Sequence, residues 1–231
     1  TIGGTNYTTT VNADNTTFSV TVPAAAVGSL TDGNATASVT GTDNAGNSFT
    51  ANATRAYTVD TTASATIAIN TIAGDDIINA TESGNDLVIS GTVGGDAASG
   101  DTVTVTIGGT NYTTTVNADN TTFSVTVPAA AVGSLTDGNA TASVTGTDNA
   151  GNSFTANATR AYTVDTTASA TIAINTIAGD DIINATESGN DLVISGTVGG
   201  DAASGDTVTV TIGGTNYTTT VNADNTTFSV T

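Results

Sequence analysis

The chain has 231 residues, of which 21 are acidic and two are basic, so its formal net charge is −19 at pH 7. This charge makes nucleic acid and anionic membranes poor partners, and no stretch is long and apolar enough to predict a bilayer-spanning helix. Cysteine and histidine are absent, which excludes disulfides and metal sites built from thiolate or imidazole ligands.

A repeat of 105 residues organises the chain, because residues 1–126 are identical to residues 106–231. Solenoid repeats have about 20 to 50 residues, whereas this period has the size of a whole domain. We place the domain boundaries at the linker 59–62 and at its copy 164–167. The expected domains are the C-terminal part of one repeat at 1–60, a complete repeat at 61–165 and the N-terminal part of the next at 166–231. The chain is expected to be a stretch of a longer polypeptide.

Within the complete repeat, hydrophobic residues recur with a period of two, which predicts β-strands. The segments are rich in Val, Ile and Thr, and clusters of Gly, Asn and Asp separate them. Residues 128–135 break the alternation and predict a single helical turn. The expected strands are 66–69, 87–90, 102–107, 112–116, 123–127, 140–147 and 154–164. Seven short strands in about 100 residues predict an all-β fold, with immunoglobulin-like, seven-stranded β-sandwiches joined end to end in a linear array.

The cation of the complete repeat, Arg160, does not fit this pattern simply. Strict alternation along the last strand puts Arg160 on the same face as Ala158 and Tyr162, which would bury its charge. A β-bulge near Ala158 would turn the side chain outward. We expect Arg160 to form an exposed ion pair, of the modest strength usual for such pairs, with a carboxylate near the end of the last strand.

The acidic residues are expected to gather at the two ends of the sandwich, because strands that run up and down place alternate loops at opposite ends. One end, here called the far pole, would hold Asp75, Asp76, Asn79, Glu82, Asp86, Asp137 and the last residue of the repeat, Asp165. The other end, the near pole, would hold Asp60, Asp96, Asp101, Asp119, Asp148, Asn149 and Asn152. In an array the far pole of one repeat faces the near pole of the next.

Such a junction suits Ca²⁺, which takes six to eight oxygen ligands from carboxylates, amides, backbone and water. The loop 75–82 is rich enough in oxygen ligands to surround an ion, and the turn 148–152 would do so with Asp60. The alternative is that Asp and Asn cap the backbone of their own turns. The candidate calcium ligands are Asp60, Asp75, Asp76, Asn79, Glu82, Asp101, Asp148, Asp165 and, in the next repeat, Asp180, Asp181, Asn184 and Glu187.

Three other motifs favour no further function. The stretch 83–88 is similar to one turn of a calcium-binding nonapeptide β-roll, but that structure needs a copy every nine residues. Alternating threonines at 102–106 could form a flat ice-binding or sugar-binding face, although threonine is ordinary on the outward side of a strand. Acid pairs serve glycosidases, yet here they lie on turns without an aromatic platform. We therefore expect no catalytic site.

Four segments of the repeat form a distinctive set: Val-Asp-Thr-Thr-Ala at 164–168, Gly-Asp-Asp-Ile-Ile-Asn-Ala at 179–185, Val-Ile-Ser-Gly-Thr-Val at 193–198 and Thr-Asp-Asn-Ala-Gly-Asn at 147–152. Together they resemble the bacterial Ig-like extender repeats of giant RTX and biofilm-associated adhesins. The resemblance implies type I secretion by a Gram-negative bacterium, an extracellular location at the cell surface, and calcium at the linkers. It would place the linker calcium on Asp60 and Asp165, with loop ligands among Asp75, Asp76, Glu82 and Asp148. Ala63 and Ala168 stand where the family linker has Pro.

These observations predict a non-enzymatic stalk, stiffened by calcium, that projects a distal adhesive domain for cell adhesion or biofilm formation. The expected partners are the adjoining identical repeats of the same chain. The alternative is a module whose repeats bind a ligand or associate laterally with each other to form an extracellular matrix fibre. A polysaccharide-acting enzyme would need a cleft with paired acids away from the junctions, and the sequence predicts none.

Overall fold

The protein is described by a computed structural model that covers residues 1–231. Residues 1–60 form one helical turn and one hairpin: α1 (Ala24–Val27), β1 (Gly33–Thr42) and β2 (Ser48–Tyr57). Residues 61–165 form β3 (Ala65–Ile69), β4 (Ile77–Asn79), a 3₁₀ turn (Glu82–Gly84), β5 (Leu87–Gly95), β6 (Thr102–Ile107), β7 (Thr110–Thr115), β8 (Thr122–Val127), α2 (Ala129–Val132), β9 (Gly138–Thr147) and β10 (Ser153–Asp165). Residues 166–231 form β11 (Ala170–Ile174), a 3₁₀ turn (Glu187–Gly189), β12 (Ile194–Gly200), β13 (Thr207–Ile212), β14 (Thr215–Thr220) and β15 (Thr227–Val230).

Residues 61–165 build a β-sandwich from two sheets. One sheet has the strand order β4-β10-β9-β6-β7 and the other has the order β3-β5-β8. All seven strands predicted from the hydrophobic period are present, and the helical turn predicted at 128–135 is α2. The prediction missed β4, which has three residues and pairs in parallel with the end of β10. A segment this short is too brief to show a period.

The core between the two sheets contains 21 buried hydrophobic residues. Along β9 the side chains of Ala140, Ala142 and Val144 are buried, while Thr141 and Thr145 are exposed. This alternation is the physical basis of the sandwich, since successive side chains of a strand point to opposite faces. No buried polar or charged residue interrupts the core.

The bulge expected near Ala158 is absent. β10 pairs with β9 without a break in register from Ser153 to Tyr162, so Arg160 does lie on the inward face, half-buried. The guanidinium reaches the far pole, where it binds Asp76 and where Nη1 also contacts the Ile69 carbonyl at 3.4 Å. Small neighbours leave room for this long side chain, because Ala156 and Ala158 precede it on the same face.

The two flanking pieces contain fewer strands of the same fold. Residues 166–231 keep the whole three-stranded sheet, β11-β12-β15, but only β13 and β14 of the other sheet. Their core has five buried residues. The strands of residues 1–60 are those of the β1–β2 hairpin alone, and this piece has no buried side chain. None of the chain's helices has the length and apolar character needed to cross a membrane.

Candidate functional site

The chain enters the complete repeat at one end of the sandwich and leaves it at the other. At the near pole, the amide nitrogen of Asn152 lies 3.1 Å from the carbonyl oxygen of Asp60. At the far pole, Asp165 pairs with Asn79 in the parallel ladder between β10 and β4. Two further hydrogen bonds place acids at the far pole as predicted: Val164 N–H donates to Asp137, and Ala129 N–H donates to Asp86. The predicted division of these acids between the two poles is confirmed.

The near pole brings Asp60 and Asp148 to the same side-chain amide. Nδ2 of Asn152 lies 2.8 Å from Oδ2 of Asp148 and 3.5 Å from Oδ1 of Asp60. The backbone N–H groups of Ala150 and Asn152 both donate to Oδ1 of Asp148. The pKa of Asp148 is below its ordinary value, chiefly because the carboxylate accepts a hydrogen bond from the side-chain amide of Asn152.

Asn152 belongs to the turn 148–152 that was expected to surround an ion with Asp60, although it was not named as an individual ligand. The signal available in the sequence was its position four residues after Asp148, across a glycine. Gly151 has φ of 94°, a left-handed conformation that glycine adopts without strain, and it turns the chain back so that Asn152 faces Asp148. A rotation of its side-chain amide would present the oxygen of Asn152, instead of the nitrogen, to Asp60 and Asp148, because the two atoms are nearly equivalent in shape.

The other near-pole acids cap their own turns. Asp101 accepts a hydrogen bond from Ala98 N–H at 2.7 Å, and Asp96 accepts one from Ser64 N–H at 2.7 Å. Asp119 accepts hydrogen bonds from the Thr122 hydroxyl and from the backbone N–H groups of Thr121 and Thr122, which together lower its pKa to about 2. These contacts correspond to the alternative interpretation in which Asp and Asn stabilise turns.

The hydrogen bonds of Asp119 predict a loss of stability in acid. A carboxylate whose folded pKa lies below its unfolded value stabilises the fold above the unfolded pKa, and this contribution disappears as the pH falls towards the folded pKa. For Asp119 the window lies between the ordinary value of 3.8 and about 2. Urea unfolding should therefore show that Asp119→Asn loses less stability than the wild type between about pH 5 and about pH 2. Equal losses in the two proteins would contradict the prediction.

At the far pole, Asn79 and Glu82 form a reciprocal cap. The backbone N–H of Glu82 donates to Oδ1 of Asn79, and the backbone N–H of Asn79 donates to Oε2 of Glu82, both at 3.0 Å. This is the capping-box arrangement at the start of a helical turn. Asp75 accepts a hydrogen bond from Ile77 N–H at 3.0 Å. Each of these carboxylates uses only one of its oxygens in these bonds, which leaves the other oxygen available.

Asp76 differs from its neighbours because its charge is balanced by Arg160. Nε of Arg160 lies 2.7 Å from Oδ1 of Asp76, and Nη2 lies 2.5 Å from Oδ2. The pKa of Asp76 is lowered, chiefly because its carboxylate accepts hydrogen bonds from the guanidinium of Arg160. The predicted ion pair of Arg160 is thus present, but its partner lies on the first loop of the repeat. Both oxygens of Asp76 are engaged, unlike those of Asp75 and Glu82.

The loop 180–187 of the next repeat keeps the same local hydrogen bonds. Asp180 accepts from Ile182 N–H, Asp181 accepts from Ile177 N–H, and Asn184 and Glu187 cap each other as Asn79 and Glu82 do. No strand equivalent to β10 lies beside this loop. The loop conformation is therefore set by its own sequence rather than by the strand that pairs with it in the complete repeat.

No group of three or more carboxylates comes together closely enough to hold a metal ion by itself. The predicted ligands lie at the two poles. At the near pole, Asp60 and Asp148 lie close together because both contact the side-chain amide of Asn152. At the far pole, the side chain of Asp165 accepts a single hydrogen bond, from Thr167 N–H at 3.3 Å. Any metal at a junction would need backbone and amide oxygens, or both facing poles, to complete its ligands.

The donor set at the near pole fits Ca²⁺ in its chemistry. Three oxygens converge on the side chain of Asn152, namely the carbonyl and carboxylate of Asp60 and the carboxylate of Asp148. All three are hard oxygen ligands, and reorienting the amide adds a fourth. A cation bound there supplies positive charge between acids that otherwise repel each other.

The chain matches no protein-family model, and no curated protein matches it. Solved structures are similar to it. One, from work on the host cell surface retention of a 1.5-MDa bacterial ice-binding adhesin, is 44% identical with a TM-score of 0.82; the match covers 99% of this chain and 72% of that one. Another, of a Ca²⁺-stabilised adhesin with which an Antarctic bacterium reaches out and binds ice, is 43% identical with a TM-score of 0.57, covering 99% of this chain and 55% of that one.

A bacterial immunoglobulin-like domain from the M. primoryensis ice-binding adhesin is 42% identical, with a TM-score of 0.41, over 45% of this chain and all of that domain. The first of these structures is matched over nearly the whole of this chain and most of its own length, and it shares the β-sandwich architecture. The chain therefore belongs to the bacterial Ig-like extender repeats of giant surface adhesins.

Proposed function

We propose that the chain is a stalk segment of a large extracellular bacterial adhesin, in which calcium at the junctions stiffens a linear array of identical repeats. The stalk has no catalytic role and projects a distal adhesive domain from the cell surface, for cell adhesion or biofilm formation. The domain boundaries of the proposal are those at 60/61 and 165/166, and its partners are the adjoining repeats of the same chain.

The observation that carries the proposal is the placement of charge. Every acidic side chain of the complete repeat lies on a loop, a turn or a strand terminus at one of the two poles. The long outer face of the five-stranded sheet carries none. Charge confined to the two poles of a repeat acts most strongly where two repeats meet. It therefore affects the junction between repeats and leaves the sides of the stalk neutral.

In the proposed junction, Asp60 with Asp148 and Asn152 forms the near-pole half, and Asp165 with Asp75 and Glu82 forms the far-pole half. Asp101 and Asn79 lie in the same two poles, and Asp180, Asp181, Asn184 and Glu187 repeat the far-pole loop. Asp76 contributes least, because Arg160 already neutralises it. The related adhesin stabilised by Ca²⁺ supports calcium as the ion. Since Ala63 and Ala168 give the linkers no proline stiffness, junction ions would supply most of their rigidity.

A second candidate function rests on the outer face of the five-stranded sheet. Three rows of side chains cross β7, β6, β9 and β10 on this face, and all are Thr, Ser or Asn. The rows are Thr115, Thr102, Thr145 and Thr155; Thr113, Thr104, Ser143 and Asn157; and Asn111, Thr106, Thr141 and Thr159. A flat face without charge offers no repulsion to another copy, so lateral association into a matrix fibre would use it.

The two functions predict different behaviour of a polypeptide made of four complete repeats, each spanning 61–165. A stalk stays monomeric with calcium at high concentration, and its maximum dimension in solution scattering approaches four repeats end to end. A laterally associating fibre increases in mass with concentration. Monomers that stay compact and flexible in calcium would contradict the stalk, and lateral growth that Thr104→Asp abolishes would favour the fibre.

A further inference from the structure

The guanidinium group of Arg160 is surrounded by oxygen atoms from the end of β3 and the loop that follows it. Its Nε lies 2.7 Å from Oδ1 of Asp76, and its Nη2 lies 2.5 Å from Oδ2 of the same carboxylate. Nη2 also lies 3.1 Å from the Thr71 hydroxyl, and Nη1 lies 3.4 Å from the carbonyl oxygen of Ile69. Carboxylate and carbonyl oxygens are the groups that hold a hard cation in a protein loop, and the hydroxyl adds a third oxygen. The guanidinium therefore takes the place that a bound cation has in such a loop.

The loop is closed by its own hydrogen bonds, and Arg160 joins it to the last strand of the repeat. The backbone N–H of Ile72 donates to Oδ1 of Asp76 at 2.9 Å, and the N–H of Asp76 donates to the carbonyl oxygen of Ile72 at 2.7 Å. Arg160 lies on β10, 84 residues from Asp76 in the sequence. Its guanidinium thus connects a loop that is already closed to a distant strand.

The backbone of Asp76 binds the same strand. Thr163, which follows Arg160 on β10, donates its N–H to the carbonyl oxygen of Asp76 at 2.9 Å. From there β4 runs parallel to β10 and ends with Asn79 opposite Asp165. Parallel pairing is slightly less stable per residue than antiparallel pairing, and this ladder has only three pairs. The contacts of Arg160 therefore reinforce a short ladder at the point where it begins.

This ladder positions the far-pole half of the proposed junction. Asp165 lies opposite Asn79, and Asn79 and Glu82 cap each other. The pairing of β4 with β10 thus brings the last residue of the repeat to the loop that carries Glu82. If β4 separates from β10, Asp165 and Glu82 are no longer held at the same end of one rigid unit.

Arg160 is also the only basic side chain that the complete repeat supplies. Residues 61–165 contain nine Asp, one Glu and one Arg, and the one salt bridge of the structure joins Arg160 to Asp76. Both side chains are partly shielded from water, with 33% and 28% of their surface exposed. Opposite charges attract more strongly where water is partly excluded. Asp76 is thus the far-pole acid that the repeat neutralises without metal.

We infer that Arg160 is a positioning residue of the junction, because its guanidinium is the resident cation of the segment 69–76 and docks this segment and β4 on β10 without metal. Asp75, Glu82 and Asp165 are then the far-pole acids left for a junction ion. The docking follows from contacts within one repeat, whereas its consequence for the junction rests on the proposed stalk. The far-pole ladder should therefore form in calcium-free protein, and removal of the guanidinium should leave an oxygen site that a free guanidinium ion fills.

Amide hydrogen exchange of residues 1–231, measured by NMR in chelator, tests the docking. The amide of Thr163 reports its bond to Asp76, and the amide of Val116, which is hydrogen-bonded at the near pole, serves as the reference. Arg160→Ala should speed exchange at Thr163 about tenfold or more and change Val116 much less, because the far-pole ladder opens locally. Thr159→Ala is the matched control, since Thr159 is exposed on the outer face of the same strand; both amides should exchange as in the wild type.

Rescue by a free cation separates a resident cation from a side chain that merely packs. In the Arg160→Ala protein, millimolar guanidinium chloride, far below denaturing concentrations, should restore protection of Thr163, and sodium chloride at equal ionic strength should not. Adding Asp76→Asn removes the carboxylate and should abolish the rescue. Arg160→Lys keeps a charge and an apolar stem but cannot form the paired bonds. It provides a second variant in which Thr163 should exchange faster than in the wild type.

The effect on the junction is measured by solution scattering of the four-repeat polypeptide. Arg160→Ala at every repeat should reduce the lengthening that calcium causes, and millimolar guanidinium chloride should restore it. Equal exchange at Thr163 in the wild type and both Arg160 variants, equal acceleration at Thr163 and Val116, or rescue that persists with Asp76→Asn would each overturn the inference. The exchange measurements are made in chelator and the calcium response of the wild-type array tests the stalk, so the two proposals can fail independently.

Discussion

Removing calcium is expected to lower the melting temperature of a polypeptide of two adjoining complete repeats by many degrees. Calcium sites of extracellular modules have dissociation constants of roughly 0.1 to 1 mM. At 10 to 100 times that concentration, each site stabilises the folded state by about 1.4 to 2.7 kcal/mol. For a domain of this size one such site corresponds to a shift of about 6 to 20 °C. The combined shift in melting temperature from several sites would be larger than that expected from a surface substitution.

The measurement is thermal unfolding in Ca²⁺, in Mg²⁺ and in a chelator. Mg²⁺ should restore little stability, because it needs closer octahedral ligands and gives up its water reluctantly. Asp148→Asn together with Asp60→Asn should reduce the response to calcium while changing the melting temperature in chelator much less, since amide oxygens still accept the turn hydrogen bonds. Identical melting curves in Ca²⁺ and in chelator would contradict calcium at the junctions.

Most of the fold could be predicted from the sequence because the strands are long enough to show their period. β9 alternates Ala140, Ala142 and Val144 with threonine and serine, and one face of it is buried. The division of acids between the poles followed from the same strands, because a strand that crosses the sandwich fixes where its loops lie. β4 escaped detection because its hydrogen bonds come from the end of β10, which is distant in sequence.

The pairing of Arg160 shows where sequence reasoning failed. The prediction assumed that a buried face excludes a charge and therefore introduced a bulge. In the structure the long side chain keeps its apolar stem on the inward face and its guanidinium at the rim, where Asp76 and the Thr71 hydroxyl accept hydrogen bonds. The partner lies 84 residues away, and no local pattern identifies it. The contact between Asn152 and Asp60 also spans 92 residues, but it agrees with the expectation that the turn 148–152 lies beside Asp60.

Asp165→Ala at every linker is expected to reduce the straightness of an array much more than the stability of its repeats. The side chain of Asp165 makes one weak hydrogen bond, to Thr167 N–H at 3.3 Å, and it lies outside the core. Without a cation, the far-pole acids other than Asp76 repel the near pole of the next repeat across two or three linker residues. A cation held by Asp165 and both poles would fix the angle between repeats.

Solution scattering of four complete repeats, with and without calcium, measures this effect. The wild type should lengthen in calcium, and the Asp165→Ala array should keep nearly the same maximum dimension in both conditions while each repeat melts within a few degrees of the wild type. Asp119→Asn at every repeat removes the same number of charges from a turn that makes no linker contact, so it should lengthen in calcium like the wild type. A normal calcium response in the Asp165→Ala array would show that the linker acid does not hold the junction ion, and the stalk would then need another source of stiffness.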